Sequence, residues 1–126
     1  SCDLVISQDV MEHVFEPEKA FAEIGRILKP GGVHIFTIPY LPQMPTRPRA
    51  KLEEGAVVHL LEPEYHGDPV TSSGSLVVTD WGHDTAALIK DASGMQTTVH
   101  ELQDPLKGIV GAHLEVLVSV KQDTSQ

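Results

Sequence analysis

Two apolar runs with an amphipathic stretch between them constrain this chain more than anything else in it. Val33 to Ile38 reads as a strand closed by Pro39, and Leu4-Val5-Ile6 is consecutively apolar rather than alternating. That is the pattern of strands buried on both faces of a parallel sheet covered by helices. Between them, from about Pro17 to Leu28, the residues Ala20, Phe21, Ile24, Ile27 and Leu28 recur at the spacing of one helix face. Pro17 suits the first helical position, where a missing N–H costs nothing. Glu16 and Glu18 at one end, with Arg26 and Lys29 at the other, favour the helix dipole. Pro30-Gly31-Gly32 is expected to stop the helix and turn the chain. Strand, helix, strand with short links is half of a parallel α/β architecture, and here its first strand begins almost at the first residue.

The remainder is less regular. Asp9-Val10-Met11-Glu12 has the D-x-x-E spacing of a capping box, with Asp9 accepting from the new turn and Glu12 reaching back. From Tyr40 to Asp80 there is a segment too long for an ordinary connection. It follows Pro39 with Pro42, Pro45 and Pro48, then Arg47, Arg49 and Lys51, then four glutamates from Glu53 to Glu64. Such a segment reads as functional or disordered. For the proline series Pro39 to Pro48 a lid over a substrate pocket or plain disorder is expected ahead of a polyproline II ligand for a partner domain, and a short strand is expected at Leu76–Thr79. Trp81 reads as a core anchor. Asp84 to Ala92 reads as a helix stopped by Gly94, and Gln96 to Glu101 as a weak strand. Asp104-Pro105, Gly108 and Gly111 mark a turn-rich loop, and Leu114 to Val120 alternates as a strand does. The expectation is a single domain over residues 1–121, with an insertion at about 40–80 and a polar tail at 122–126.

The formal charge of −9 repels phosphate backbones and argues against a nucleic-acid partner. Cys2 is the only cysteine, so no internal disulfide and no cysteine zinc site can form. The apolar runs fall well short of the roughly 20 residues that span a bilayer, so no membrane partner is expected, and a cytoplasmic location is the default expectation.

The stretch DLVISQDVMEHVFEPEKAFAEIGRILKPGGVHIFTIP resembles the second half of a class I S-adenosylmethionine-dependent methyltransferase of the ubiquinone-pathway-like, small-molecule type. The shared features, in order, are a fourth strand ending at the cofactor, an E-H pair, a helix ending in L-K-P-G-G and a fifth strand ending in proline. YHGDPV and GSLVVTDWGHDTAALIKDASG are similar to a subgroup with a long insertion before its last helix. The resemblance runs from Asp3 to about Lys121. It implies a partial Rossmann-like sheet of strands 4-5-7-6, the last antiparallel, and S-adenosylmethionine as cofactor with a small-molecule substrate. The family's glycine-rich loop and ribose-binding acid would lie before Ser1. Gly31-Gly32 ends a helix instead of opening one and cannot be that loop. Met95 stands where the family tends to have an aromatic residue, a change read as packing. The missing neighbour strand implies a bare edge along Asp3–Ser7 and hence a homodimer. Two readings follow: the C-terminal half of a methyltransferase, inactive alone, or a stand-alone non-enzymatic dimeric binding module.

The resemblance also assigns site residues. Ser7, Gln8, Asp9 and His13 would meet the cofactor, Gln8 beside its methionine part or sulfonium. Tyr65, His66 and Asp68 are the catalytic candidates, His66 removing a proton from the acceptor and Asp68 orienting it. Gly67-Asp68-Pro69 is also strong turn chemistry, and the turn reading takes precedence. Asp9, Glu12 and His13 are similar to an E-x-x-E-H stretch proposed to hold a divalent ion in the ubiquinone-pathway subgroup. The capping box already accounts for Asp9 and Glu12, so no metal site is assigned. His34, His59, His100 and His113 are isolated and read as structural or solvated, and His83 and Asp84 as helix-start residues.

Overall fold

A computed structural model describes residues 1–66, 74–108 and 115–122. Gly67-Asp68-Pro69, Gly111, His113, Leu114 and the last four residues of the tail lie outside the described residues. The strands are β1 (Cys2–Gln8), β2 (Leu28–Thr37), β3 (Tyr40–Leu41), β4 (Arg47–Pro48), β5 (Ala50–Glu53), β6 (Ala56–His59), β7 (Tyr65–His66), β8 (Ser75–Leu76), β9 (Thr79–Gly82), β10 (Gln96–Glu101) and β11 (Glu115–Val120). The helices are α1 (Pro17–Ile27) and α2 (Thr85–Ser93). The main sheet has the order β1-β2-β11-β10. β1 and β2 run parallel, with α1 as their crossover, and β11 is antiparallel to both its neighbours.

Register separates the sheet's two faces. Val5 pairs with His34 and Ser7 with Phe36, while Leu117 and Ser119 of β11 pair with Phe36 and His34. This face meets both helices: Phe21, Ile89 and Met95 join Leu28, Phe36 and Leu117 in one core cluster. Met95 is thus a core residue. Gly25 lets the helices approach, since an added Cβ would sit 3.3 Å from that of Ser93. His34 is fully buried, stacks on Phe36 with ring centroids 4.3 Å apart and shares a 3.0 Å hydrogen bond with Ser7. Burial lowers its pKa to about 4, so it is a neutral core residue at pH 7.

The opposite face carries Leu4, Ile6, Val33, Ile35, Val118 and Val120 in register. Leu4 is 49% exposed and Ile6 69%. The expectation that the first strand is buried on both faces is therefore corrected. β1 is an edge strand, and both described helices lie on the other side of the sheet.

The proline–glycine turn is also corrected. Leu28 to Thr37 is one bulged strand: Cys2 pairs with Leu28, but Leu4 pairs with Val33. Gly31, at φ +82°, donates its N–H to the Lys121 carbonyl at 2.8 Å, and Lys121 N–H returns to the Gly32 carbonyl at 2.9 Å. The extra residues form a bulge, with Gly31 in the left-handed conformation, and the backbone just beyond β11 satisfies their polar groups.

The segment from Tyr40 to Asp80 forms, where described, short strand pairs: β3 and β4 flank β9, β5 pairs with β6, and β7 with β8. The expected strand at Leu76–Thr79 is split between β8 and β9, with Val77 and Val78 buried between them. Trp81 is buried in the core, its ring edge-on to Phe21 at 5.6 Å. Gly82 passes so close to the Met44 carbonyl that no Cβ could be accommodated. Asp80, nearly buried, accepts on one oxygen from Arg47 Nε at 2.9 Å and Arg49 Nη1 at 2.8 Å. Arg49 also donates to the Glu62 carbonyl at 2.6 Å. Among the described residues no helix is long and apolar enough to cross a membrane.

Removing one member of a buried charge pair leaves the others uncompensated, at a cost of about 3–5 kcal/mol, and half-exposed Arg47 places this case at the lower end. Asp80→Ala is expected to cost about 3 kcal/mol, read as a lower urea midpoint. A change within the error of the midpoint would show that the pair does not hold the inserted strands.

Candidate functional site

In open α/β sheets, ligands sit beyond the carboxyl ends of parallel strands. β1 and β2 end side by side. Asp9, at φ +52°, follows β1, and its N–H donates to the Thr37 carbonyl at 3.0 Å. The Thr37 hydroxyl donates back to Asp9 Oδ1 at 3.3 Å. Residues Met11–His13 form a single 3-10 turn with no side-chain cap. The expected capping box is therefore absent: Asp9 is engaged with β2 and Glu12 points inward.

A cavity of about 520 Å³ opens at this end of the sheet. Gln8, Asp9, Thr37, Ile38 and Pro39 form its floor. The inserted segment supplies the facing wall through Leu41, Glu64, His66, Val77, Thr79 and Asp80, and Glu12 closes one side. A second cavity of about 590 Å³, more apolar, lies between α1, α2 and the insertion, beside Trp81 and away from the strand ends.

Glu12 is the unusual residue. It is 1% exposed, and neither carboxylate oxygen has a hydrogen-bond partner among the described residues. Its backbone carbonyl accepts from Val78 N–H at 2.7 Å, which ties the turn to the insertion. Two imidazoles flank the carboxylate: His13 Nε2 lies 3.9 Å and His66 Nδ1 3.8 Å from Oε2. The two rings meet edge to face at 5.1 Å. His13 Nδ1 is 2.7 Å from the Leu76 carbonyl. A carbonyl only accepts, so Nδ1 carries a proton and donates it, and Nε2 is the nitrogen that faces Glu12. Burial is the largest influence on Glu12 and pushes its pKa above the ordinary carboxyl value.

The structure distributes the sequence candidates unevenly. Gln8 and Asp9 line the cavity. Ser7 turns inward to His34, and His13 lies behind Glu12, so neither lines it. His66 is half-buried in the cavity wall. Tyr65, its neighbour on β7, is 55% exposed, as alternation along a strand requires. Asp68 lies outside the described residues. The carboxylate beside His66 is thus Glu12, whose spacing from Asp9 suggests a cap. Its signal was slight: one acid inside the run VMEHVF.

Residues 1–36 match a family model described as a methyltransferase domain. Over 39 residues, 31% of the chain, the sequence is 51% identical to the dimethylglycine N-methyltransferase of Parasynechococcus marenigrum (strain WH8102), spanning 14% of that protein. Among solved structures, the fold is similar to a chain of the complex between the Haloferax volcanii Trm112 methyltransferase activator and the putative methyltransferase. The TM-score is 0.59 at 18% identity, covering 100% of this chain and 56% of that one. It is also similar to a glycopeptide N-methyltransferase solved with S-adenosyl-L-homocysteine, with a TM-score of 0.54 at 14% identity over 96% of this chain and 55% of that one. The chain thus spans about half the length of the solved chains it matches.

Glu12 offers a direct check of the site's electrostatics. Its pKa in the folded protein lies above the ordinary 4.5, so the folded state holds this proton longer than the unfolded one. Folding is therefore penalised as pH rises above 4.5. In EDTA-treated protein, the stability of Glu12→Gln relative to the parent is expected to increase between pH 4.5 and pH 8 by urea denaturation. A difference independent of pH would show that the carboxylate is solvated.

Proposed function

We propose that this chain, a class I methyltransferase-like protein by its first 36 residues and by its fold, forms the methyl-acceptor side of an S-adenosylmethionine-dependent small-molecule methyltransferase. The observation that carries the reading is the cavity at the carboxyl ends of the two parallel strands, walled by the inserted segment. Gln8 and Asp9 stand where the methionine end of the cofactor would lie. Asp9, Glu12 and Glu64 give that space an acidic lining, which suits a positive sulfonium. Methyl transfer from a sulfonium depends mainly on holding acceptor and methyl carbon in line. The insertion would do the holding, and its residues would set which small molecule fits. An acceptor that must lose a proton would give it to His66, and Glu12 beside the ring would stabilise the resulting imidazolium.

Among the described residues no strand leads through a glycine-rich turn into a helix, the arrangement that lets backbone approach a nucleotide closely. We therefore expect the chain alone to bind cofactor weakly, with a Kd of about a millimolar, and to be inactive alone. With S-adenosylhomocysteine at that concentration, amide shifts in NMR spectra are expected at Gln8, Asp9, Thr37 and Ile38. Shifts confined to other residues, or none, would remove the site reading. Low-micromolar binding by calorimetry would overturn the view that the chain lacks a competent cofactor site on its own.

A second reading rests on β1. Among the described residues no strand pairs with one edge of β1, and Leu4 and Ile6 project from the open face of the sheet. Such an edge invites another strand. The chain would then serve as a homodimeric binding module, joined through Asp3–Ser7 or through the apolar face. Ile6→Lys is expected to convert a dimer to a monomer in sedimentation at micromolar concentration without lowering the melting temperature. A monomeric parent protein would end this reading.

A further inference from the structure

Glu12, His13 and His66 are brought together from two distant parts of the chain. Their ligand-capable atoms all lie within 4.8 Å of one another. Three independent features point the same way. Glu12 is a fully buried carboxylate with neither oxygen hydrogen-bonded among the described residues, which is costly unless a cation meets it. His13 has its Nδ1–H held by the Leu76 carbonyl, and a metal-ligating imidazole is commonly fixed in this way, with the other nitrogen free to bind. His66 and Glu12 both border the cavity, so a position opposite the three protein atoms would open into it.

We propose that Glu12 Oε2, His13 Nε2 and His66 Nδ1 form a binding site for a divalent transition-metal ion, Zn²⁺ foremost. Two imidazoles and one carboxylate are a donor set of zinc sites that keep an open fourth position. Bonds of about 2.0–2.2 Å would place tetrahedral ligand atoms roughly 3.4 Å apart. Glu12 Oε2 already stands 3.9 Å from His13 Nε2 and 3.8 Å from His66 Nδ1, so movements of about an ångström close the set. Two imidazoles favour zinc over the hard ions Mg²⁺ and Ca²⁺, which take all-oxygen sites. Asp9 takes no part, because its carboxylate holds the Thr37 hydroxyl. The site therefore differs from a ligand set drawn from the D-V-M-E-H stretch alone: the inserted segment contributes the third ligand. It does not depend on the methyl-transfer reading. With the ion bound, His66 is a ligand and no longer the cavity's proton acceptor, and the open position faces whatever the cavity holds.

The test is a zinc titration of tag-free, EDTA-stripped protein by calorimetry and by competition with a chromophoric chelator, with no cofactor present. One ion per chain is expected to bind with micromolar or tighter affinity. Co²⁺ in place of Zn²⁺ is expected to give the visible absorption of a tetrahedral N/O site. Glu12→Gln and His66→Ala should each weaken zinc binding by more than the roughly tenfold that loss of an outer-shell partner costs. His59→Ala and His83→Ala, on exposed residues elsewhere, should leave it unchanged. His66→Ala lies at the edge of the insertion, and an unchanged far-ultraviolet circular dichroism spectrum and melting temperature would separate ligand loss from unfolding. Absence of stoichiometric binding, or binding that survives both ligand substitutions, would overturn the proposal.

Discussion

The edge of the Trp81 ring rests on Phe21 at 5.6 Å, and this contact ties the inserted segment to the parallel strand–helix–strand unit. Phe21 also packs on Phe36 at 5.8 Å, so one helix side chain touches both the sheet and β9. Buried aromatic pairs of this kind contribute about 0.5–1.5 kcal/mol beyond the area they cover. Their larger effect here is positional. With Trp81 fixed, β9 is fixed, and β3 and β4 pair along it. The Asp80 carboxylate then lies where Arg47 and Arg49 can reach it, and the insertion closes over the ends of β1 and β2.

The same closure explains why a carboxylate is buried at the centre of the site. The turn after β1 presents the Glu12 carbonyl to Val78 N–H. That bond draws the turn under the insertion and carries the side chain out of solvent. A fold under selection only for stability would place an apolar residue there, since an unpartnered buried carboxylate costs free energy. Its carboxylate instead lies between two imidazoles, at 3.9 and 3.8 Å.

Much of the frame was legible in the sequence. The helix of Pro17–Ile27 and the following apolar strand were set by periodicity and by the proline at the helix start. The Gly94 stop, at φ +76°, was legible from residue type alone. Trp81 as an anchor followed from one large aromatic in an aromatic-poor chain. The reading went astray where local chemistry allowed two outcomes. Pro30-Gly31-Gly32 looked like a turn, yet Lys121, ninety residues away, holds Gly31 and Gly32 in a bulge of β2. Asp9 and Glu12 had the spacing of a cap, but Asp9 found a nearer partner in Thr37 on the adjacent strand. Leu4 and Ile6 looked buried because a consecutive apolar run signals two covered faces; they are exposed because both described helices cover the other face.

The sequence by itself determined the two helices and the strands of the main sheet, though not the short strands of the insertion, because helix and strand periods and proline and glycine stereochemistry act over a few residues. It also determined the resemblance to half of a methyltransferase fold, since that rests on residue identity along one stretch. Only the tertiary structure decided which side chains share the cavity. His66 and Glu12 lie more than fifty residues apart, and no local rule links them. They meet because Phe21, Trp81 and Val78 fix the insertion against the turn after β1. The burial that follows strips water from Glu12, and that loss of solvent gives this carboxylate its chemistry.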